Sequence, residues 1–326
     1  MSSPAQAAVS PAKALQRALL AWYRTNRRDL PWRRTRDPYA IWISEIMLQQ
    51  TRVAAVLQKY AEFLDRFPTV RALADARLDD VLAVWSGLGY YRRARALHQA
   101  AQMIVRHRHG KFPDSASEWR QLPGIGRYTS AAIASIAFRE PVAVVDGNVE
   151  RVLNRLFGER HEGERLWTRA AEFLAHSAPG DWNQAMMELG ATVCTPQNPH
   201  CLLCPVNLWC KTQGAIPTQP QPKRKHSELW YSLHQKKGKV LLVRRPSQHS
   251  LMAGMWELPP RSLRKKSEAI YSLRHSITDT DYAVFVVKGT GTPAKGKWVT
   301  HEEARQVALT GLTRKILRVH FAKERS

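Results

Sequence analysis

Two patterns of apolar residues divide the chain, and the change between them constrains the fold more than any other feature. From residue 12 to about 192, apolar side chains recur three and four positions apart, as in Leu15, Leu19 and Trp22, with proline or glycine between segments. Beyond residue 225 they form short runs typical of strands, at 229–233, 240–243 and 282–287. A last helical pattern follows from residue 312 to about 323. The sequence therefore predicts an all-α domain followed by a smaller α+β domain.

The predicted domain limits follow from composition. Residues 1–11 are rich in alanine, serine and proline and have neither the basic nor the apolar segment of a signal peptide, so we expect a disordered tail. The helical domain is predicted at 12–215. A linker at 216–228 contains Pro217, Pro220 and Pro222, and the second domain follows at 229–326.

The chain is strongly basic. It carries 50 lysine and arginine residues against 27 acidic residues, a net charge of +23. Such an excess favours a polyanionic partner, because each phosphate that a basic side chain neutralises releases a condensed counterion. No segment approaches the roughly 20 apolar residues that span a bilayer, so we expect no membrane partner.

Four cysteines lie close together, at Cys194, Cys201, Cys204 and Cys210. A secreted disulfide framework would spread them along the chain, so their crowding indicates a metal site in a reducing cytosol. The pair Cys201 and Cys204 suits zinc, but the wider outer spacings are unlike two short zinc knuckles. Four thiolates in one compact loop suit a [4Fe–4S] cluster, which the spacing favours without excluding zinc.

Two glycines mark a candidate phosphate-binding turn in the run Leu122-Pro123-Gly124-Ile125-Gly126. Gly124 and Gly126 permit a tight turn with positive φ and leave backbone N–H groups open at the start of the next helix. That arrangement is the hairpin of a helix-hairpin-helix module. A plain turn between helices explains the run equally well when it is taken alone.

Two carboxyl groups are the candidate catalytic acids. Glu45 stands among Trp42, Ile46 and Met47, where an exposed helix position is one interpretation and a desolvated proton donor with a raised pKa is the other. Asp146 begins a predicted helix, where it caps the helix and also supplies a fixed negative charge. A proton donor with an ionised partner is the arrangement that cleaves glycosidic bonds.

These motifs together resemble the helix-hairpin-helix base-excision glycosylases with an iron–sulfur loop, the endonuclease III superfamily. Within it the chain is similar to the MutY-type adenine DNA glycosylases. The similarity covers residues 12 to about 215 and rests on the cysteine spacing, on the hairpin, and on the runs 30–33, 45–51, 87–94 and 145–149.

The resemblance implies a role for each matched position. Glu45 would protonate the departing adenine and Asp146 would stabilise the sugar cation. Endonuclease III-type enzymes carry a Schiff-base lysine where this chain has Tyr128, which implies a monofunctional glycosylase without strong lyase activity. The remaining implied positions are Tyr128 and Asn148 supporting the pocket, Arg33 lining it, Gln50 and Tyr90 wedging into the base stack, and Thr51 and Leu88 contacting 8-oxoguanine. Ordinary packing at a helix end remains the alternative for Gln50, Leu88 and Tyr90.

The C-terminal region resembles the Nudix-like domain of the same family. It lacks the glutamate-rich helix of a phosphohydrolase, since Glu257 and Glu268 are its only acids between residues 254 and 272, so recognition is the implied role. The stretch 274–279 is similar to the loop that reads 8-oxoguanine. Thr278 would replace a serine there, but Asp279 is an unfavourable charge near DNA.

The predicted function is therefore removal of adenine mispaired with 8-oxoguanine or guanine in double-stranded DNA. The alternatives are an endonuclease III-type pyrimidine-lesion glycosylase/lyase and a non-catalytic DNA-binding protein on the same scaffold. We expect a monomer in the cytoplasm, associated with the nucleoid, or in the nucleus if the source is eukaryotic.

Overall fold

The computed structural model describes residues 11–214, 224–246, 248, 252–262, 266–277, 279–290 and 295–323. The chain divides into two compact units. The first comprises Met1–Val53, Thr69–Arg71 and Ala100–Gln219, and the second comprises Ala54–Pro68, Ala72–Gln99 and Pro220–Ser326, each as far as its residues are described. The predicted tail lies outside the described residues except for Pro11, which begins the first helix.

Eleven helices occupy the described chain from residue 11 to 192, with no strand among them, which confirms the predicted helical region. They are α1 (Pro11–Asn26), α2 (Pro38–Leu48), α3 (Val53–Arg66), α4 (Val70–Asp75), α5 (Leu78–Trp85), α6 (Arg92–Arg108), α7 (Ala116–Trp119), α8 (Arg127–Ala137), α9 (Gly147–Phe157), α10 (Gly163–Glu172) and α11 (Pro179–Thr192).

The core of the first unit forms where the apolar faces of α1, α9, α10 and α11 meet. Leu19, Leu153, Ala185 and Leu189 lie at its centre and are at most 1% exposed. Helix α2 is different, because its own residues are apolar on nearly every face. All of its residues from Tyr39 to Met47 are buried. A helix that is apolar all round is expected in the interior. Any polar residue on α2 is therefore carried into the core.

The C-terminal part of the second unit contains two sheets and two helices. The strands are β1 (Lys225–Leu233), β2 (Gln235–Lys236), β3 (Lys239–Arg244), β4 (Trp256–Glu257), β5 (Ala269–Ile277), β6 (Thr280–Lys288) and β7 (Lys297–Val299). One sheet has the order β1-β6-β5, with β1 parallel and β5 antiparallel to β6. In the other, β3 pairs with β2, β4 and β7. The helices are α12 (His301–Arg305) and α13 (Gly311–Lys323), which matches the predicted last helix.

The start of β1 and four further strands differ from the expectation. Strand β1 begins at Lys225, inside the predicted linker, because its first residues pair with β6 from Thr280 onwards although their side chains are exposed. Strands β2, β4, β5 and β7 were not predicted. In β5 no residue is fully buried, so its apolar pattern is weak and backbone pairing with β6 decides its conformation.

Candidate functional site

Glu45 is buried in the first unit. It lies in α2, which Asp37 caps by accepting hydrogen bonds from the backbone N–H groups of Tyr39 and Ala40. The Glu45 side chain is carried into the core with its helix and is only 6% exposed. Burial raises the pKa of Glu45 to about 7, and the negative charge of Asp146 also raises it, while Tyr128 and Arg33 oppose the shift. The carboxyl group is therefore suited to hold and release a proton near neutrality.

Tyr128 is the hydrogen-bond partner of Glu45. It is the second residue of α8, and its hydroxyl donates to Oε2 of Glu45 over 3.1 Å. The same hydroxyl lies 3.3 Å from Sδ of Met187. Burial and the neighbouring carboxyl groups raise the pKa of Tyr128 well above its ordinary value, so the hydroxyl remains a donor. Among the described residues the Glu45 carboxyl has no other hydrogen bond, which leaves Oε1 for a ligand.

Asp146 caps α9, as its position before the helix predicts. Its Oδ1 accepts from the backbone N–H groups of Asn148 (2.9 Å) and Val149 (2.8 Å), and its Oδ2 accepts from Nδ2 of Asn148 (3.0 Å). Three donors and the helix N-terminus stabilise a negative charge here and fix its orientation.

Arg151 links this group to the cysteine loop, and sequence reasoning missed it. It lies one turn after Asn148, and its guanidinium donates to Asn148 Oδ1 (2.8 Å) and to the carbonyl groups of Gly190 (2.7 Å) and Cys194 (2.7 Å). The sequence offered one indication of this contact, because residues three positions apart on a helix are neighbours and Arg151 follows Asn148 by three. Asn148 is thus held between Asp146 and Arg151, which fixes its amide orientation.

Arg33 lies beside a buried acid that the sequence analysis did not identify, Glu188 of α11. The Glu188 side chain is 0% exposed, and its Oε2 accepts from Arg33 (2.7 Å) and Arg28 (2.7 Å). Arg28 also donates from Nε and from its backbone N–H to Oε1. Burial raises the pKa of Glu188, but the hydrogen bonds from Arg28 and Arg33 outweigh burial and lower the pKa to about 2. An ionised Glu188 thus holds Arg33 where its positive charge acts on Glu45.

Replacing Glu188 by glutamine is expected to lower the free energy of unfolding by about 3 kcal/mol, because breaking a buried ion pair leaves its partner charges uncompensated. Since the folded-state pKa is depressed, the stabilisation is present above pH 4.5, the ordinary pKa, and is lost as the pH falls towards 2. Urea unfolding at neutral pH measures the effect. The control is Asp29→Asn, which removes an exposed pair with Arg34 and should change stability little. Equal stability of Glu188→Gln and the parent would contradict the assignment.

The two hairpin glycines differ in conformation. Gly124 has a φ of +76°, the left-handed region that favours glycine. Gly126 has a φ of −90° and ψ of −177° and precedes α8, so the prediction of positive φ is wrong there. A Cβ on Gly126 would meet no atom within 4 Å. The protein interior therefore does not require glycine at 126, and the space beside it is free for a ligand.

Gln50 and Thr51 follow α2 at the surface. Gln50 is exposed and has a φ of +53°, which non-glycine residues rarely adopt. Thr51 is half-buried, and its backbone N–H donates to the carbonyl of Leu48 over 3.2 Å. Strained backbone at an exposed side chain is typical of a functional position.

The turn at 87–90 belongs to the second unit and joins α5 to α6. Tyr90 is 43% exposed with a φ of +47°, and the guanidinium of Arg93 stacks 5.4 Å from its ring. Leu88 is only 5% exposed. This burial favours the alternative left open for Leu88, ordinary packing at a helix end.

None of the four cysteines forms a disulfide, and all four are partly exposed. Cys194, Cys204 and Cys210 pack against the core of the first unit, and Arg155 donates to Sγ of Cys194 over 3.4 Å. Burial raises the pKa of Cys204, and the negative charges of the other three cysteines raise it further, which indicates that the four sulfur atoms lie near one another. In the described parts of the chain, no three His, Cys, Asp or Glu side chains are grouped as around a single metal ion.

The C-terminal hairpin is described only in part. Thr278 lies outside the described residues, between β5 and β6. Asp279 forms an ion pair with Lys225 (3.0 Å), and Asp281 forms one with Arg224 (2.9 Å). Each acid of the hairpin is thus paired with a basic residue, Asp279 with the first residue of β1 and Asp281 with the residue before it. None of the helices that the structure describes is long and apolar enough to cross a membrane.

Comparison with known proteins gives a consistent result. The HhH-GPD superfamily of base excision DNA repair proteins matches residues 43–175. The adenine DNA glycosylase of Homo sapiens is 33% identical, over 97% of this chain and 76% of the human protein. Among solved structures, a thermostable thymine-DNA glycosylase has a TM-score of 0.59 and is 30% identical in sequence. Endonuclease III in a non-covalent DNA complex has a TM-score of 0.54 and is 22% identical. Each of these two alignments covers 63% of this chain and 97% of the other chain. The second likeness concerns the fold alone. The chain belongs to the adenine DNA glycosylases of the HhH-GPD superfamily.

Proposed function

We propose that this adenine DNA glycosylase removes adenine paired with 8-oxoguanine, or with guanine, and that Glu45 and Asp146 carry out the chemistry. The observation that carries the proposal is the pairing of a buried acid with a fixed carboxylate. The pKa of Glu45 is raised to about 7, and the Asp146 charge contributes to that shift. Two carboxyl groups in such different environments are the arrangement of a proton donor and a charge stabiliser.

Glu45 acts as the general acid. Adenine leaves the sugar readily only when its ring is protonated, and Oε1 of Glu45 is the oxygen free to donate. Tyr128 holds Oε2 by a hydrogen bond of 3.1 Å and so sets the direction of the other oxygen. The Arg33 charge limits how far the pKa of Glu45 rises. The proton is therefore held by burial but can still be transferred near neutral pH.

Asp146 stabilises the positive charge that forms on the deoxyribose as adenine departs. Its carboxylate is fixed by three donors from Asn148 and Val149, so it needs little reorganisation during the reaction. Water then attacks the sugar carbon. Since Tyr128 occupies the position where lyases of the superfamily have lysine, no amine is available there to form a Schiff base, and the product is an intact strand with an abasic site.

The DNA contacts are proposed on the exposed turns. Gly124 and Gly126, with the open N-terminus of α8, would take a phosphate. Gln50 and Tyr90, both exposed and both in left-handed backbone, would wedge into the stack, with Thr51 beside Gln50. Flipping adenine costs a few kcal/mol, which wedging side chains offset.

The C-terminal sheets are proposed as a Nudix-like recognition domain that reads 8-oxoguanine through the hairpin of Thr278. The acids that a phosphohydrolase would need are otherwise engaged. Glu257 is buried and pairs with Arg245 over 2.6 Å, and Glu268 pairs with Arg261 over 3.0 Å. Divalent metal would have to displace these arginines, so recognition rather than hydrolysis is supported.

The cysteine loop is proposed to hold a [4Fe–4S] cluster through Cys194, Cys201, Cys204 and Cys210. The donor set fits, because a cluster takes one thiolate at each iron and so does not need its donors to converge on one ion. When bound, the cluster would cross-link the loop through its four thiolates. Anaerobically purified protein is expected to contain about four irons per chain by metal analysis. Stoichiometric zinc without iron would contradict this.

Excision on defined duplexes tests the function. We expect the protein to release adenine opposite 8-oxoguanine and opposite guanine, and strand breakage to appear only after hot alkali, because hydrolysis leaves an abasic site. Gel analysis of end-labelled duplexes before and after alkali measures both steps. Breakage without alkali would indicate a lyase of the endonuclease III type. Binding without adenine release would indicate the non-catalytic alternative.

The substrate implies where the protein acts. DNA repair would place it at the nucleoid in the cytoplasm, or in the nucleus of a eukaryote. We propose that it acts as a monomer.

A further inference from the structure

The turn that presents Tyr90 is attached at both ends to one backbone carbonyl of the C-terminal region. Ser86 follows α5 and Tyr91 precedes α6, and they are 0% and 3% exposed. Both hydroxyls reach the carbonyl oxygen of Leu309, at 3.3 Å from Ser86 and 3.1 Å from Tyr91. The two hydroxyls are also 3.2 Å apart. All three residues belong to the second unit.

The position of Leu309 is determined by the sheet. Trp256 of β4 donates its backbone N–H to the carbonyl of Ala308 over 2.9 Å, and its own carbonyl accepts from the N–H of Thr310 over 2.9 Å. These two bonds flank Leu309, and β4 is itself paired with β3. The Leu309 carbonyl is therefore as rigid as the sheet behind it.

A second group of contacts supports the helices on either side of the turn. Arg95 of α6 donates to the carbonyl of Ala253 over 2.6 Å. Asp79 of α5 pairs with Arg244 of β3 over 3.1 Å, and Arg244 also donates to the carbonyl of Gly254 over 3.0 Å. Helices α5 and α6 thus contact the C-terminal region at separate points, which restrains their movement relative to it.

Within the turn, further bonds fix the backbone. Arg93 donates to the carbonyl groups of Leu88 (3.0 Å) and Gly89 (3.2 Å), and the indole N–H of Trp85 donates to Gly89 (3.1 Å). Tyr90 keeps a left-handed φ although it is not glycine. Such a conformation persists only where the surroundings over-determine it, and the bonds to Leu309 are part of those surroundings.

We propose that Ser86, Tyr91 and the Leu309 carbonyl position Tyr90, so that the C-terminal region pre-organises the wedge for base flipping. This inference rests on the proposed wedge role of Tyr90. Ser86 and Tyr91 are positioning residues, since they act through the turn and do not touch the substrate. The C-terminal region thereby contributes to extrusion of adenine in addition to reading the opposite base.

The test is a double variant, Ser86→Ala with Tyr91→Phe, which removes both hydroxyls and keeps the apolar volume. The probe is a duplex with 2-aminopurine in place of the adenine opposite 8-oxoguanine, whose fluorescence rises when the base leaves the stack. A Glu45→Gln background prevents excision. Loss of two buried hydrogen bonds should lower the equilibrium constant for extrusion about tenfold. Amide exchange at residues 87–90 in the free protein should accelerate about tenfold as well.

Two further variants in the same background make the outcomes distinct. Tyr271→Phe removes a hydroxyl that bonds Nδ1 of His320 in the same unit, and it should leave both readouts unchanged. Tyr90→Ala should lower extrusion at least as much as the double variant. If Tyr90→Ala has no effect, the wedge role and this inference are both wrong. If Tyr90→Ala lowers extrusion and the double variant changes neither readout, the positioning role alone is wrong.

Discussion

Glu45→Gln is expected to lower single-turnover excision of adenine by about 10²- to 10⁴-fold, the range of general acid catalysis. Glutamine keeps the shape of the side chain and still accepts the hydrogen bond from Tyr128, but it cannot give a proton to the leaving base. Affinity for the mismatched duplex should persist, because the substitution removes no positive contact to phosphate. Single-turnover excision and fluorescence anisotropy measure the two quantities on the same duplex.

The matched control for this variant is Glu172→Gln. Glu172 is an exposed glutamate at the end of α10, paired with Arg169, so the same chemical change occurs at an exposed ion pair instead of at a buried acid. Excision by Glu172→Gln should equal that of the parent. Excision by Glu45→Gln at more than about a tenth of the parent rate would contradict the proton-donor role. Parallel loss of binding would indicate that α2 has been disrupted instead.

The same role sets the direction of the pH dependence. A pKa of about 7 means that Glu45 holds its proton below neutrality and loses it above. Excision should therefore decline as the pH rises through 7, approaching about tenfold per pH unit. Tyr128→Phe removes a hydrogen bond that lowers the pKa of Glu45, so the decline should move to higher pH. A profile flat from pH 6 to 9 would be inconsistent with a general acid.

Asp146→Asn is expected to reduce excision by at least about 10²-fold, because the substitution removes the fixed charge that faces the sugar cation. The new amide also disturbs its neighbour. In the parent, Asp146 Oδ2 accepts from Nδ2 of Asn148, so an NH₂ group at that position would face another donor. Rotation of the Asn148 amide would relieve the conflict only by losing the bond from Arg151. Single-turnover excision at saturating enzyme measures the loss.

Helix capping must be separated from charge stabilisation in this result. Asp37→Asn makes the same change at the N-cap of α2, where the two side-chain oxygens accept from Tyr39 and Ala40. That variant should excise adenine at the parent rate. If Asp146→Asn lowers the free energy of unfolding together with excision, lost capping of α9 rather than the lost charge explains the effect of Asp146→Asn. If Asp146→Asn retains more than a tenth of the parent activity, the charge is not required.

The sequence predicted the features that depend on local chemistry. The spacing of apolar residues predicted that the region from residue 12 to about 192 is helical, because periodicity reports which face of an amphipathic helix is buried. Asp146 could be identified as an N-cap, because a cap depends only on its own residue and the next three. The final helix was predicted for the same reason, whereas β5 was not, since its pairing with β6 determines its conformation more than its side chains do.

Contacts distant in sequence determined the rest of the site. The sequence left open whether Glu45 is exposed, and the packing of α2 shows that its side chain is buried. Glu188 was not found from sequence, since its partners Arg28 and Arg33 lie about 160 positions away and the pattern of α11 does not distinguish an ion-paired core acid from an exposed one. Arg151, which joins α9 to the cysteine loop, was missed for a similar reason.

The division has one physical cause. A turn, a cap or a metal-binding spacing is formed by residues close in the chain, so residue type alone identifies the candidates for Asp146, the hairpin glycines and the four cysteines. A raised pKa, a buried ion pair or an anchored turn requires groups from separate elements to meet. Only the tertiary structure placed Tyr128 against Glu45 and the Leu309 carbonyl against Ser86 and Tyr91. Desolvation and nearby charges shift the pKa values of these residues, and both effects arise only when the chain is folded.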